Sequence, residues 1–110
     1  MTSKPAPGPL VGLVLKISFG TFTPQITVHS ERELTVEIIE GEGSAGFSDT
    51  VEYQAIAVRD GLIVLSWQEH IGSTIVHVLD LGSSTAYTAI TPATGEFTRL
   101  TGRIEVKSET

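Results

Sequence analysis

From residue 10 onwards, short β-like runs alternate with turn signals roughly every ten residues. No segment repeats its apolar residues with the period of a helix. The chain has 10 Val, 10 Ile and 14 Thr among its 110 residues, and such branched side chains favour pleated strands. These features predict an all-β chain. We place strands near residues 11–19, 25–29, 33–40, 49–59, 62–70, 73–81, 84–91 and 96–106.

Consecutive strands joined by tight turns predict a small antiparallel up-and-down β-barrel, because about eight strands are enough to close a sheet on itself. A two-sheet sandwich is the alternative that the same pattern allows. A chain of 110 residues has room for one domain, which we place at residues 10–110. Three of the five prolines fall within residues 5–9, so we expect residues 1–9 to be a disordered tail.

Two-residue turns set the register of the predicted hairpins. Asp60-Gly61 is the clearest turn, because a type I′ hairpin needs positive φ at both central positions. Ile71-Gly72 and Gly82-Ser83 are the next two turns. On the face that we expect to line the barrel, this register places Ile56, Val58, Ile63, Leu65, Trp67, Val76, Val78 and Tyr87, with Glu52, Gln54, Glu69 and Thr74 towards one end. On the outer face it places Tyr53, Ala55, Val64, Ser66, Gln68, Ile75, His77 and Thr88.

Composition excludes several classes of partner. The net charge of −6 argues against nucleic acid, whose binding needs clustered Lys and Arg. No apolar stretch reaches the roughly 18 residues of a membrane span, and residues 1–10 lack the apolar core of a secretory signal. We therefore expect a cytoplasmic protein without a membrane partner. The chain lacks cysteine, a Gly-rich nucleotide loop and a metal-ligand spacing among His29, His70 and His77. We therefore expect no cofactor and no metal.

Residues 66–80, 86–91 and 95–102 carry a family resemblance. Their features are Trp67-Gln-Glu69, then Val76-His-Val78 with Asp80, Tyr87-Thr88 and a closing Gly102. Over roughly residues 49–104 they resemble the MoaF-like proteins, which are named after protein F of molybdenum cofactor biosynthesis. The resemblance implies a calycin-like, lipocalin-like β-barrel. The resemblance does not by itself imply a particular reaction, and it leaves open any link to molybdenum cofactor metabolism.

One hairpin is also similar to a short element of phenolic acid decarboxylases, which are barrel enzymes. Trp67-Gln-Glu69 and Gly72-Ser-Thr74 match its Trp-x-Glu strand end and the turn that follows. This likeness implies that the catalytic carboxylate would fall on Glu69. Outside the hairpin, the paired tyrosines and the arginine of those enzymes do not align with the chain.

Glu69 is the first candidate for catalysis. A carboxyl group in an apolar barrel mouth, beside Trp67 and opposite Glu52, is harder to ionise and can exchange protons near neutral pH. Alternatively, Glu69 is solvated at a hairpin end and faces Glu52 only as a surface neighbour. His77 is the second catalytic candidate, as a proton shuttle. Its alternative role is a structural hydrogen bond to Ser66, which the predicted register places opposite it.

The candidate ligand-binding residues are two aromatic and three polar side chains. Trp67 and Tyr87 can stack on a flat ligand, or they can be ordinary core residues. The polar group consists of Gln54, Glu52 and Thr74.

Three functions remain open at this level. The first is a binding module for a hydrophobic or aromatic small molecule held inside the barrel. The second is a cofactor-independent lyase, isomerase or cyclase that uses Glu69 as general acid and base. The third is a non-catalytic homodimeric interaction domain, with the barrel edges or the Tyr53–His77 face as its interface.

Overall fold

A computed structural model describes residues 8–41, 43 and 45–109, with side chains described up to residue 107. The predicted all-β class and the eight-stranded antiparallel barrel are confirmed: consecutive strands pair, and the last strand pairs with the first. None of the described residues forms a helix long and apolar enough to cross a membrane. The strands are β1 (Leu13–Ser18), β2 (Phe22–Val28), β3 (Glu33–Gly41), β4 (Ser48–Arg59), β5 (Leu62–Gln68), β6 (Thr74–Asp80), β7 (Thr85–Thr91) and β8 (Thr98–Glu109).

The two ends of the barrel differ. One end is closed by residues 8–12, where Leu10 is fully buried in the core and the Gly12 N–H donates to the Val28 carbonyl at 3.0 Å. The other end, which we call the mouth, is surrounded by the loops that follow β1, β3, β5 and β7. The predicted disordered tail, residues 1–9, lies outside the described residues except for its last two.

Side chains at alternate strand positions fill the interior, as the pleat requires. On β5 the predicted inward residues are confirmed, because Ile63, Leu65 and Trp67 are all buried. The predicted register between β6 and β7 is also correct, since Val78 pairs with Tyr87. The predicted turn at residues 82–83 therefore gives the correct pairing of β6 with β7.

The predicted register across the β4–β5 hairpin is wrong by one residue. Ile63 pairs with Ala57 rather than with Val58, which is left over as a β-bulge. Since successive side chains point to opposite faces, the extra residue reverses the predicted faces of β4. Tyr53 is consequently buried, whereas Ile56 is exposed.

The predicted register between β5 and β6 is wrong for a different reason. Gln68 pairs with Thr74, so the connection is the five-residue loop 69–73 rather than a two-residue turn. The Glu69 N–H donates to the Ser73 carbonyl at 2.7 Å and closes this loop. The pairing moves by one residue, which reverses the predicted faces of β6 and β7. His77 therefore points into the barrel, where it is 2% exposed.

These two shifts remove four predicted ligand-binding residues from the interior. Tyr87 is 51% exposed on the outer face. Glu52, Gln54 and Thr74 are exposed as well. The prediction that these four side chains line the barrel is therefore wrong.

Of the two surfaces predicted for a homodimer, one is part of the core. Tyr53 and His77 are buried, so the face that carries them is not an exposed surface. The eight strands form a closed barrel, but the ladder to β3 covers only residues 48–52 of β4, and the later part of β4 pairs with β5. A homodimer through a strand edge stays a prediction.

β4 changes its pairing partner halfway along its length. Residues 48–52 pair with β3, whereas the ladder to β5 begins at the pair Tyr53–Trp67. Between residues 48–52 and the 69–73 loop lies a seam without ladder pairs. The Asp49 carboxylate crosses this seam by accepting hydrogen bonds from the His70 backbone N–H at 2.8 Å and from its ring Nδ1 at 2.7 Å.

Candidate functional site

An apolar cleft of about 510 Å³ opens at the mouth of the barrel. Glu69 is the only ionisable side chain among its described lining residues. Apolar side chains from four different strands and two loops form most of its walls: Phe22, Ile38, Phe47, Ile71, Ile75 and Ile90. The cleft therefore combines a large apolar surface with one carboxyl group.

A small cavity of about 40 Å³ lies beneath the cleft, in the barrel interior. The two spaces share Glu69, Ile75 and Ile90 among their lining residues, which places them next to each other. Of these two spaces, Trp67 and His77 line only the deeper one. A cavity of this size holds a few water molecules at most. The body of any larger ligand must therefore lie in the cleft above it.

Glu69 stands at the boundary between the cleft and the cavity because it begins the loop after β5. The indole Nε1 of Trp67 donates a hydrogen bond to its Oε2 at 3.2 Å. Burial raises the pKa of the Glu69 carboxyl, and the nearby charge of Asp49 raises it further, whereas the Trp67 hydrogen bond acts in the opposite direction. The net effect is a raised pKa, so the group is more easily protonated than an ordinary glutamate.

Asp49 behaves in the opposite way, although it lies close by. Burial alone would raise the pKa of its carboxyl, but the hydrogen bonds from the backbone and side chain of His70 outweigh that effect and lower it. Asp49 is therefore held in its charged form as a structural bridge across the seam. The carboxyl group of Glu69, by contrast, has one hydrogen-bond donor, Trp67, among the described residues.

His77 is built into the wall of the deep cavity. Its ring Nδ1 lies 2.7 Å from the Thr88 hydroxyl oxygen, rather than bonding Ser66 as predicted. The Trp67 and Phe19 rings pack against it, with centroid distances of 5.2 and 6.4 Å. Burial lowers the pKa of His77 to about 3, so the imidazole is neutral at physiological pH. It is a polar but uncharged group at the base of the site.

Apart from Tyr87, the predicted site residues are divided between two places, with Trp67 common to both. Glu52, Gln54 and Thr74 border a depression of about 510 Å³ on the outer surface, which Trp67 also borders. Glu69, Trp67 and His77 form a continuous group from the mouth to the cavity. Glu52 does not face Glu69. It pairs with Glu33 across the β3–β4 ladder and forms an exposed ion pair with Arg32 at 3.2 Å. Gln54, Thr74 and Tyr87 are on the outer face of the barrel.

The wall opposite Glu69 was not among the predicted site residues. Phe22, Ile38 and Phe47 come from β2, β3 and the loop between β3 and β4. They are far from Glu69 in sequence, and the predicted two-residue turns set the register only from β4 to β7. Closure of the barrel brings these residues to the same mouth. The alternation of apolar residues in β2 and β3 was the available signal. It could indicate which side chains point inwards but not which residues of other strands they would face.

Comparisons with known proteins agree with this architecture. A family model described as MoaF-like matches residues 11–105. The crystal structure of a protein from Burkholderia vietnamiensis, described provisionally as a beta-lactamase, is similar with a TM-score of 0.84 and 27% sequence identity. The similarity covers 96% of this chain and 100% of that chain. No curated protein matches the chain.

Proposed function

The chain belongs to the MoaF-like family. We propose that it binds a hydrophobic or aromatic small molecule at the mouth of its barrel. The supporting observation is the placement of Glu69, a partly buried carboxyl group in a mostly apolar cleft. Small-molecule sites typically combine apolar walls with few polar groups that orient the ligand. A cleft of about 510 Å³ is also within the usual size range of such sites.

The proposed ligand lies above Trp67 rather than deep in the barrel. The space below the cleft is only about 40 Å³, so the apolar body packs against the side chains of the mouth. Glu69 orients the polar end of the ligand, and Trp67 holds the Glu69 carboxylate in place. In this arrangement Tyr87 has no contact with the ligand, because it is on the outer face.

Trp67 provides the test, because it is the only tryptophan in the chain. We expect its fluorescence to change when small apolar compounds are titrated into the protein. Ile71→Lys places a charge in the cleft at a position that is 64% exposed, so we expect the barrel to fold and binding to weaken by at least about tenfold.

The matched control is Ile56→Lys, at a position that is 60% exposed on the outer face. We expect this variant to bind as the unmodified protein does. Equal effects of the two substitutions, or no response of Trp67 to any compound of a broad set, would contradict the proposal.

A second candidate function is acid-base catalysis without a cofactor, as in a lyase, isomerase or cyclase. The observation that favours it is the raised pKa of Glu69 beside a cleft large enough for a substrate. In such a reaction Glu69 would remove a proton from the bound substrate and return it at another atom. Glu69→Gln should then abolish turnover while leaving the unfolding transition intact. Unchanged turnover would exclude this role.

The name of the Burkholderia vietnamiensis protein suggests a third function, beta-lactamase activity, which the residues of the present chain do not favour. The sequence of the present chain contains no Ser-x-x-Lys motif, the element that supplies the nucleophile in serine beta-lactamases. Among the described residues, no group of three or more His, Asp or Glu side chains is placed to hold a metal ion. We therefore expect no hydrolysis of a chromogenic cephalosporin. Measurable turnover would contradict this expectation. The cytoplasmic location stays a prediction.

A further inference from the structure

We propose that the ligand of the mouth is an amphipathic cation, a molecule with an apolar body and a protonated amine that pairs with Glu69. This inference rests on the proposed binding function and adds the chemical class of the ligand. The apolar walls select the body, and the single carboxylate selects the charged group. Three observations at the mouth carry the argument.

The first observation is the charge of the cleft. No Lys or Arg is among its described lining residues, and Glu69 is the only ionisable one. A ligand carboxylate or phosphate would therefore approach Glu69 without a compensating cation. The second carboxylate nearby, Asp49, adds to the negative potential, although it is already bonded to His70. An anion is disfavoured by this arrangement and a cation is favoured.

The second observation is the hydrogen-bonding capacity that Glu69 has left. An ionised carboxylate offers about four acceptor positions. Among the described residues, only the indole N–H of Trp67 donates to the carboxyl group of Glu69, and it does so at Oε2. An ammonium group carries N–H donors and a positive charge, so it can fill the remaining positions with charge-assisted hydrogen bonds.

The third observation is the apolar surface around the carboxyl group. Burial disfavours the charged form of Glu69, as its raised pKa indicates. An ammonium brought into the cleft restores a favourable environment for that charge. The attraction is stronger than it would be between exposed groups, because the walls of Phe47, Ile75 and Ile90 keep the local dielectric low. The same walls bury the body of the ligand.

Three probes with one skeleton test the ligand class: 3-phenylpropylamine, 3-phenylpropan-1-ol and 3-phenylpropionate, measured by calorimetry at neutral pH. They differ in charge at one end and present the same phenyl group to the cleft. We expect the unmodified protein to bind the amine roughly tenfold more tightly than the alcohol, and the propionate most weakly. This comparison requires no variant, so it does not depend on the folding of a mutant.

Glu69→Gln then assigns the preference to its residue. We expect this variant to bind the amine as weakly as the alcohol, with the affinity for the alcohol unchanged. The matched control is Glu37→Gln, which removes an exposed glutamate of β3 outside the cleft. The control should keep the full preference for the amine.

The outcomes separate the two proposals. If the alcohol binds and the amine binds no more tightly, the ligand class is wrong and the binding function stands. If the amine preference persists in Glu69→Gln, the assignment to Glu69 is wrong. If none of the three probes binds and no compound of the broader set alters Trp67 fluorescence, both the ligand class and the binding function are overturned.

Discussion

The indole Nε1 of Trp67 donates a hydrogen bond to Oε2 of Glu69 at 3.2 Å, across the single intervening residue Gln68. Trp67 points into the barrel, and the loop after β5 brings the Glu69 carboxyl back towards it. The only tryptophan of the chain is thereby joined to the carboxyl group of the cleft. The ionisation state of Glu69 is accordingly linked to an optical signal.

This contact predicts that Trp67 fluorescence follows the protonation of Glu69. A pH titration of the emission should show a transition with a midpoint above 4.5, the ordinary value for glutamate, because burial raises the pKa. Glu69→Gln should remove the transition, whereas Glu37→Gln, on the outer face, should keep it. A midpoint at or below the ordinary value would contradict the raised pKa of Glu69.

The buried imidazole of His77 predicts a loss of stability in mild acid. Its pKa is about 3 in the folded state against 6.5 for the ordinary group, so the unfolded chain takes up the proton first as the pH falls. The loss begins near pH 6.5 and continues down to the folded-state value. At about pH 5 this one group should lower the free energy of unfolding by about 2 kcal/mol relative to pH 7.

Urea unfolding at the two pH values measures this effect. His77→Gln should remove most of the difference, because glutamine can still bond Thr88 but does not titrate. His29→Gln is the control, since His29 is exposed, and it should leave the difference in place. The same pH dependence in His77→Gln as in the unmodified protein would show that other groups cause it.

Gly102 on β8 leaves no room for a larger side chain at its position. A Cβ at this position would lie 2.7 Å from two ring carbons of Phe19 and 2.8 Å from the Ile17 Cγ2. Gly102→Ala should therefore displace Phe19 and cost about 1–3 kcal/mol of stability, measured by chemical unfolding. Gly82→Ala is the matched control, because its nearest atom would be 3.5 Å away. Equal stability of the two variants would contradict this packing.

The Asp49 bridge predicts local loosening when it is removed. Asp49→Ala deletes the acceptor of both His70 hydrogen bonds, so the His70 amide should exchange with solvent at least about tenfold faster. His70→Gln keeps the backbone donor and should have a smaller effect. Because the pKa of Asp49 is lowered, its stabilisation is present above 3.8, the ordinary value, and is lost as the pH falls through its folded-state pKa. Unchanged exchange in Asp49→Ala would contradict this role.

The class of fold could be predicted from the sequence because residue type and turn spacing act locally. Branched residues and the turn signals after them indicated eight strands and their order along the chain. The faces of individual strands could not be predicted in the same way. A single extra residue, Val58, reverses β4, and no residue near it marks a bulge. The Ile71-Gly72 pair is similarly part of a longer loop that Ser73 closes.

The site was predicted in part for the same reason. Trp67 and Glu69 are neighbours in sequence, so their contact needed only a local turn. His77 reached the site through a shift that moved Tyr87 out of it. The opposite wall, with Phe22 and Phe47, depends on closure of the barrel, which pairing rules between adjacent strands do not specify.

Because of the seam beside β4, the width of the mouth does not depend on the β-ladder pairs that hold the barrel together. The wall formed by residues 48–52 shares its ladder with β3, and the wall that carries Glu69 shares its ladder with β6. These walls can move apart without the loss of any β-ladder pair, at the expense of the side-chain bridge from Asp49. The spacing of these two walls therefore depends on one polar contact rather than on the strand framework.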